Sequence, residues 1–218
     1  KRQTLKKMLL TVVDYGVGNL RSIAKSIEKA NTENNLNYSV KISSDINDIK
    51  KADKLILPGQ GSFKACREGI KNITGLDEEL NESVINKKKP VYGICAGMQL
   101  FGTTGYEGEE TLGFNWIEGD IVKIKPSSAN LKIPHMGWNE LIIKNSSEVF
   151  RDVSDKSHAY FIHSYEFLPK DKKVVSLSVN YGKEIVAAVC RENIYGSQFH
   201  PEKSQDTGIK ILTSFLKI

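Results

Sequence analysis

The sequence predicts an α/β fold: a mostly parallel open sheet with helices on both faces, followed by a C-terminal antiparallel or mixed extension. Three observations predict it. Short runs rich in Val, Leu and Ile alternate with helically spaced segments as far as residue 101. Gly-rich turns at 14–19, 58–61 and 93–97 close three of those runs. Beyond residue 111 the apolar runs shorten and follow one another with turn signals between them.

The elements follow in order. Residues 8–13, M-L-L-T-V-V, end in D-Y-G-V-G-N and read as a buried strand before a Gly-rich turn. Residues 20–30 carry apolar side chains at 20, 23, 24 and 27, a helical spacing. Residues 38–42 alternate as a strand does, and 54–57 form a third strand stopped by P-G-Q-G. Helices are expected over 63–70 and 76–86, a fourth strand over 90–94, and the start of a helix over 96–101. Strands interspersed with helices in this way imply parallel strands with helices on both faces. In such sheets ligands bind beyond the carboxyl ends of the strands, where the three Gly-rich turns lie. Shorter strands are expected over 117–124, 138–143, 160–162, 174–179, 185–190 and 195–199, and a closing amphipathic helix over 209–216. No linker separates the two halves, so residues 8–218 are expected to form one domain. Residues 1–7 read as a disordered or expression-derived leader.

Composition bounds the function. The chain has 218 residues, 39% hydrophobic and 26% charged, enough to bury a core and remain soluble. The net charge is +5, but cationic and acidic residues are interspersed, so the focused basic stripe of a nucleic-acid binder is missing. The first apolar run is followed at once by Asp14, too short for a signal peptide or a membrane span. Three cysteines, Cys66, Cys95 and Cys190, are widely spaced without a CxxC. That argues against a disulfide framework or a structural zinc site and fits a reducing cytoplasm.

G-I-C-A-G at 93–97 sits where a strand passes into a helix. The pattern is that of a nucleophile elbow with Cys in place of Ser. Its glycines relieve crowding, the following helix N-terminus favours a thiolate, and the N–H of Ala96 points at an oxyanion. Alone, the pattern better describes a small buried residue in a tight turn, and the other parts decide for catalysis. The second part is Q-F-H-P-E-K near the C-terminus. In an extended segment His200 and Glu202 project to one side, so Glu202 can fix the tautomer of His200 while His200 faces a thiolate. The third is L-P-G-Q-G-S-F at 57–63, where Gly59, Gln60 and Gly61 can supply a second oxyanion donor. Read singly, these two segments are also an exposed strand-end His with a helix-capping Glu, and a plain turn capped by Ser62.

Together the pieces resemble the class I, or triad, glutamine amidotransferases, a flavodoxin-like family. Within it they resemble most the glutaminase subunits of imidazole glycerol phosphate synthases. The resemblance rests on D-Y-G-V-G-N-L-R-S at 14–22, L-P-G-Q-G-S-F, G-I-C-A-G-M-Q-L at 93–100, I-P-H-M-G-W-N at 133–139 with Y-F-I-H-S-Y at 160–165, and Q-F-H-P-E-K-S at 198–204. It implies that Cys95 attacks the carboxamide of L-glutamine, that His200 carries the proton and that Glu202 orients His200. It implies oxyanion donors at Gly59, Gln60 and Ala96. Gln99 and Glu107 resemble residues that hold the α-amino and α-carboxylate groups, with the backbone of Ser164 and Tyr165 as the facing wall. The ammonia passes to a partner cyclase subunit, an eight-stranded βα barrel, which makes imidazole glycerol phosphate and an aminoimidazole carboxamide ribotide for histidine biosynthesis. Asn19, Trp138, Asn139, Tyr160, His163 and Lys203 are placed near that interface by the same resemblance. It gives His135 and His158 no role and implies no cofactor or metal. The chain departs from the family at Gln60, where Val is expected, and at Ala96, where Leu or Val is usual. Neither change removes a main-chain donor.

Two other readings stay open on sequence alone. A paralogous subunit would keep this chemistry and supply ammonia for amination of a cell-surface sugar. A non-catalytic flavodoxin-like scaffold subunit would leave Cys95 inert.

Overall fold

The computed structural model describes residues 7–128 and 130–218. The leader expected over 1–7 lies, apart from Lys7, outside the described residues. The first half contains every expected element and one that was not expected, α2: β1 (Met8–Val13), α1 (Leu20–Glu33), β2 (Tyr38–Ser43), α2 (Ile46–Lys51), β3 (Lys54–Leu57), α3 (Phe63–Lys71), α4 (Leu76–Asn81) and β4 (Val91–Ile94). α2 has no apolar periodicity long enough to mark it in the sequence. The Asp45 side chain accepts from Asn47 N and starts it. The helix expected over 76–86 is α4 continued by a π-helical turn, Glu82–Asn86.

The second half differs from expectation in three ways. The helix expected over 96–101 is a single turn, α5 (Ala96–Gln99). Two unexpected short strands follow it, β5 (Thr104–Glu107) and β6 (Glu109–Leu112), and then come β7 (Gly119–Lys123), β8 (His135–Ile143), β9 (His158–His163) and the unexpected β10 (Tyr165–Pro169). The chain ends with β11 (Val175–Asn180), β12 (Glu184–Arg191), β13 (Ile194–Ser197) and α6 (Gln205–Lys217). Among the described residues these strands build a nine-stranded sheet, ordered β2-β1-β3-β4-β13-β12-β11-β8-β9, and a four-stranded sheet, β10-β7-β5-β6.

The third difference matters most. β13, expected within the antiparallel extension, runs parallel to β4 in the middle of the large sheet, with Gly196 opposite Gly93 and Ser197 opposite Ile94. The sheet therefore has a parallel half, β2-β1-β3-β4-β13, which continues directly into an antiparallel half. The C-terminal ends of β3, β4 and β13 open on the same edge.

Apolar side chains leave both faces of this sheet, as helices on both sides require. Leu10 and Val12 pack with Ile23 and Ile27 of α1 and with Leu212 and Phe215 of α6. Val13, Leu55 and Leu57 pack with Phe63 and Ile70 of α3 and with Leu80. The α6 face also sets the segment after β13. A Cβ on Gly208 would stand 1.8 Å from the Pro201 carbonyl oxygen, so only glycine lets α6 approach there. Gly208→Ala is expected to destabilise the fold by about 1–3 kcal/mol through this overlap. Urea unfolding of the variant checks it, and an unchanged midpoint would show that the Pro201 segment yields freely.

Candidate active site

β4 ends at Ile94 and is followed by Cys95, whose backbone is strained at φ 54°, ψ −115°. A side-chain-bearing residue there costs about 1–3 kcal/mol, and the surroundings hold it. Cys95 N donates to Ser197 O of β13 at 2.8 Å, and Gln99 N donates to Cys95 O at 3.2 Å. The flanking backbone approaches tightly enough to demand glycine. A Cβ on Gly97 would lie 2.0 Å from Leu57 O, and one on Gly59 would lie 2.0 Å from Gly97 N. The elbow and the 58–61 turn are thus pressed backbone to backbone. Ala96 opens α5, and its N–H belongs to the helix-terminal donors that lack an intrahelical acceptor. Because α5 is one turn long, its dipole is a smaller influence on the sulfur than the sequence suggested.

His200 follows β13 and is buried beside Cys95. Its Nδ1 meets Glu202 Oε1 at 2.8 Å, which leaves the other ring nitrogen for the sulfur. Burial alone would lower the His200 pKa. The hydrogen bonds and charges of Cys95 and Glu202 outweigh it and raise the pKa to about 10. His200 therefore holds its proton more tightly than a free imidazole does, beside the sulfur of Cys95. One expectation needs correcting: the two residues do not share one side of an extended strand. Pro201–Lys203 forms a 3-10 turn that folds Glu202 back onto the ring. Glu202 Oε1 also accepts from Asn19 Nδ2 at 2.8 Å.

Cys95, His200 and Glu202 border a cavity of 320 Å³ together with Asn19, Gly59, Gln60, Gly61, Ala96, Gln99, Glu107, His163, Ser164, Tyr165 and Lys203. Of the residues singled out in the sequence, Trp138, Asn139 and Tyr160 lie outside this lining. Glu107 Oε2 accepts from Phe63 N at 2.8 Å, and so also braces the start of α3. Gln99 Nε2 donates to Tyr165 O at 3.2 Å and to Gln198 Oε1 at 2.9 Å. Gln198 was not foreseen. Fully buried, it also donates through Nε2 to Cys95 Sγ at 3.5 Å. The one signal for it was a polar residue inside an apolar strand end, two places before His200.

β9 borders the cavity through Ile162 and His163, and the β8–β9 pair has two distinct faces. Met136, Trp138, Tyr160 and Ile162 share one face through the pairs Met136–Ile162 and Trp138–Tyr160. Trp138 is 49% exposed and Met136 61%, so Trp138 is not a core residue. Lys203 Nζ lies 5.8 Å from the Tyr160 ring centroid. Asn139 and His163 project to the opposite face, away from Trp138. There they form a chain of polar groups. His163 Nδ1 faces Tyr165 O at 2.8 Å and must donate to it. His163 Nε2 then accepts from His135 Nδ1 at 2.9 Å, and His135 Nε2 accepts from Asn139 Nδ2 at 3.2 Å. Both rings are neutral, and His135 is stacked between Phe161 and Tyr181. His135 thus has a structural place in this pair, while His158 faces Glu140 at the surface.

A family model described as glutamine amidotransferase class-I matches residues 11–218. The imidazole glycerol phosphate synthase subunit HisH of Pelagibacter ubique is 46% identical over 211 residues, covering 97% of this chain and 100% of that protein. The protein of the same description from Cereibacter sphaeroides is 43% identical over 209 residues, covering 96% of this chain and 98% of its own length. Among solved structures, one described as a glutamine amidotransferase superposes with a TM-score of 0.69 at 15% identity, covering 95% of this chain and 99% of that one. A glutamine amidotransferase from Thermotoga maritima gives a TM-score of 0.62 at 13% identity, covering 90% and 77%. At these identities the two structures support the fold alone.

The neutral histidines carry a pH dependence. Burial lowers His135 from 6.5 to about 4 and His163 to about 3. The unfolded chain takes up these protons near pH 6.5 while the folded chain refuses them. Their stabilising effect is complete above 6.5 and is lost as pH falls toward 4 and then 3. His135→Asn keeps a donor near the position of Nδ1 but cannot titrate. Between about pH 7 and about pH 5 its unfolding free energy is expected to fall less steeply than that of the unaltered chain. Urea titrations at the two pH values check this, and equal slopes would refute it.

Proposed function

The chain belongs to the class I glutamine amidotransferase family, and from that premise we propose how this member works. It is a glutaminase subunit of the imidazole glycerol phosphate synthase type, the name borne by relatives that match it over nearly their whole length. The observation that carries the chemistry is the alignment of Glu202, His200 and Cys95 at the edge of one cavity.

In this reading the Cys95 thiolate attacks the side-chain carboxamide carbon of L-glutamine. The N–H groups of Ala96 and of the Gly59–Gln60 segment receive the oxyanion, each worth about 3 kcal/mol of barrier. His200 gives its proton to the leaving nitrogen, and ammonia departs from a γ-glutamyl thioester. His200, now neutral, takes a proton from water, whose oxygen attacks the thioester. Glutamate leaves and Cys95 regains its thiolate beside the imidazolium. Glu202 keeps the ring oriented throughout. Glu107 suits the ammonium of glutamine, and Gln99 with the backbone of Ser164 and Tyr165 suits the remaining α-substituents.

The partner reading is supported by the exposed face of β8 and β9. Met136, Trp138 and Ile162 are large apolar side chains in water, and Trp138 and Tyr160 meet edge to face at 6.0 Å. Such aromatic clusters anchor interfaces. Ile162 also lines the cavity, so a subunit seated there would stand over the route by which ammonia leaves. We assign that place to a βα-barrel cyclase. No helix among the described residues is long and apolar enough to cross a membrane, and a cytoplasmic site of action is proposed.

Cys95→Ala is expected to lower glutamine-dependent synthesis by the complex roughly 10⁴-fold or more while leaving ammonia-dependent synthesis intact. Loss of both would mean that Cys95 supports the fold rather than the chemistry. A glutamine-mimicking electrophile is expected to label Cys95 stoichiometrically, and an unlabelled cysteine would favour a scaffold subunit. Glutamine hydrolysis by the isolated chain is expected to be slow and to rise steeply once the partner and its substrate are bound. Equal rates with and without them would overturn that regulation.

A further inference from the structure

Beneath the 58–61 turn lie two buried donors for which the chemistry above has no use. The Tyr15 hydroxyl donates to the Pro58 carbonyl oxygen. The Cys66 thiol donates to the Gln60 carbonyl oxygen at 3.5 Å. Tyr15 is 3% exposed and Cys66 is fully buried. Burial keeps both protonated by raising their pKa values. Neither borders the cavity, whereas Gly59, Gln60 and Gly61 all do.

The arrangement has a direct geometric consequence. In a trans peptide the carbonyl and the N–H point in opposite directions. Drawing the Pro58 carbonyl down to Tyr15 turns the Gly59 N–H the other way. Drawing the Gln60 carbonyl down to Cys66 does the same for the Gly61 N–H. The peptide between them, Gly59 C=O to Gln60 N–H, makes no hydrogen bond among the described residues and takes its orientation from its two pinned neighbours. A turn with glycine at both 59 and 61 has little intrinsic preference of its own, so outside contacts decide its shape.

We propose that Tyr15 and Cys66 are positioning residues that hold the 58–61 turn from beneath and aim its N–H groups at the oxyanion formed on Cys95. This rests on the reading of that turn as the oxyanion loop. Tyr15 acts through Pro58 and Cys66 through Gln60, and neither touches the substrate.

The test separates oxyanion stabilisation from thiolate reactivity. Glutamine hydrolysis passes through a tetrahedral oxyanion, whereas alkylation of Cys95 by iodoacetamide is a direct displacement that forms none. Tyr15→Phe removes one oxygen and Cys66→Ala removes one donor. In the complex with the partner subunit, each is expected to lower kcat for glutamine at least roughly tenfold, part of the 10²–10³ that a whole oxyanion donor supplies. KM should stay within about twofold, as it does when an interaction confined to the transition state is lost. The rate of Cys95 alkylation, read on the labelled peptide by mass spectrometry, should remain that of the unaltered chain. Cys66→Ser, which restores a donor, should recover most of the kcat lost in Cys66→Ala. Unchanged kcat in both variants overturns the proposal, and so does alkylation that falls in step with kcat. An unaltered chain with no glutaminase activity overturns the functional reading and this proposal with it. An active chain with indifferent variants overturns this proposal alone.

Discussion

Everything at the candidate site depends on the parallel pairing of β13 against β4. Cys95 lies at the end of β4, and the pairing fixes its backbone through the Cys95 N to Ser197 O bond of 2.8 Å. From that register the next residues of the C-terminal segment have little freedom. Gln198 reaches the sulfur, and Phe199 enters the core against Phe161. His200 N then donates to Tyr160 O at 3.0 Å. His200 arrives beside Cys95 because two strand ends are level, not because two loops happen to meet. Rigid strand ends hold such geometry better than loops do. The second constraint is close approach. Gly97 against Leu57, and Gly59 against Gly97, leave no room for a side chain between the elbow and the 58–61 turn.

The four-stranded sheet braces the other side of the cavity. Its β5–β6 hairpin turns at Gly108, φ 79°, and carries Glu107 to the start of α3. β10 brings Tyr165 to Gln99 and His163. The histidine chain then ties Tyr165 through His163 and His135 to Asn139, which also donates to Asn180 O at 3.0 Å. The β8–β9 pair therefore has a buried face on which a chain of hydrogen-bonded polar groups runs among apolar side chains, and an exposed face rich in large apolar ones. Neutral histidines suit the buried face because each ring both donates and accepts without bringing a charge out of water.

Much of this was legible in the residues, and the failures have physical causes. The parallel half was readable because buried strands flanked by helices leave continuous apolar runs such as L-I-L and V-Y-G-I. The strained elbow was readable because its glycines mark close approach. β5 and β6 were not, because T-G-Y-E and E-E-T-L lack apolar alternation. They exist through tertiary contact, with Gly105 lying flat against the Phe63 ring. α5 was overread because Met98, Leu100 and Phe101 have helical spacing, yet Phe101 turns out of the helix to pack on Trp116. The direction of β13 could not be read at all. A short strand looks alike in either orientation, and only its partner decides. Gln198 was missed for the related reason that its burial follows from that pairing.

The first Gly-rich turn shows how far local pattern falls short of position. By local pattern alone D-Y-G-V-G-N reads as the end of a strand and a Gly-rich turn, and the resemblance placed only Asn19, at the partner interface. In the fold it touches both halves of the candidate chemistry. Gly16 at φ 89° and Asn19 at φ 67° bend the chain so that Tyr15 passes beneath the 58–61 turn while Asn19 reaches across to Glu202. Asn19 matters electrostatically because Glu202 is buried and its Oε2 has no partner among the described residues. A carboxylate in that position needs donors, and Oε1 receives two, from His200 and from Asn19. At the opposite end of the same row, Gln198 supplies a donor to the sulfur. In the proposed mechanism a thiolate, an imidazolium and a carboxylate stand in line and carry one excess negative charge. Neutral amides, one at each end, disperse that charge without cancelling it, so His200 remains the only cation of the row. A lysine or arginine in either place would compete with His200 for the charge of its neighbour. In that mechanism an amide leaves the proton on His200, where the departing nitrogen would take it.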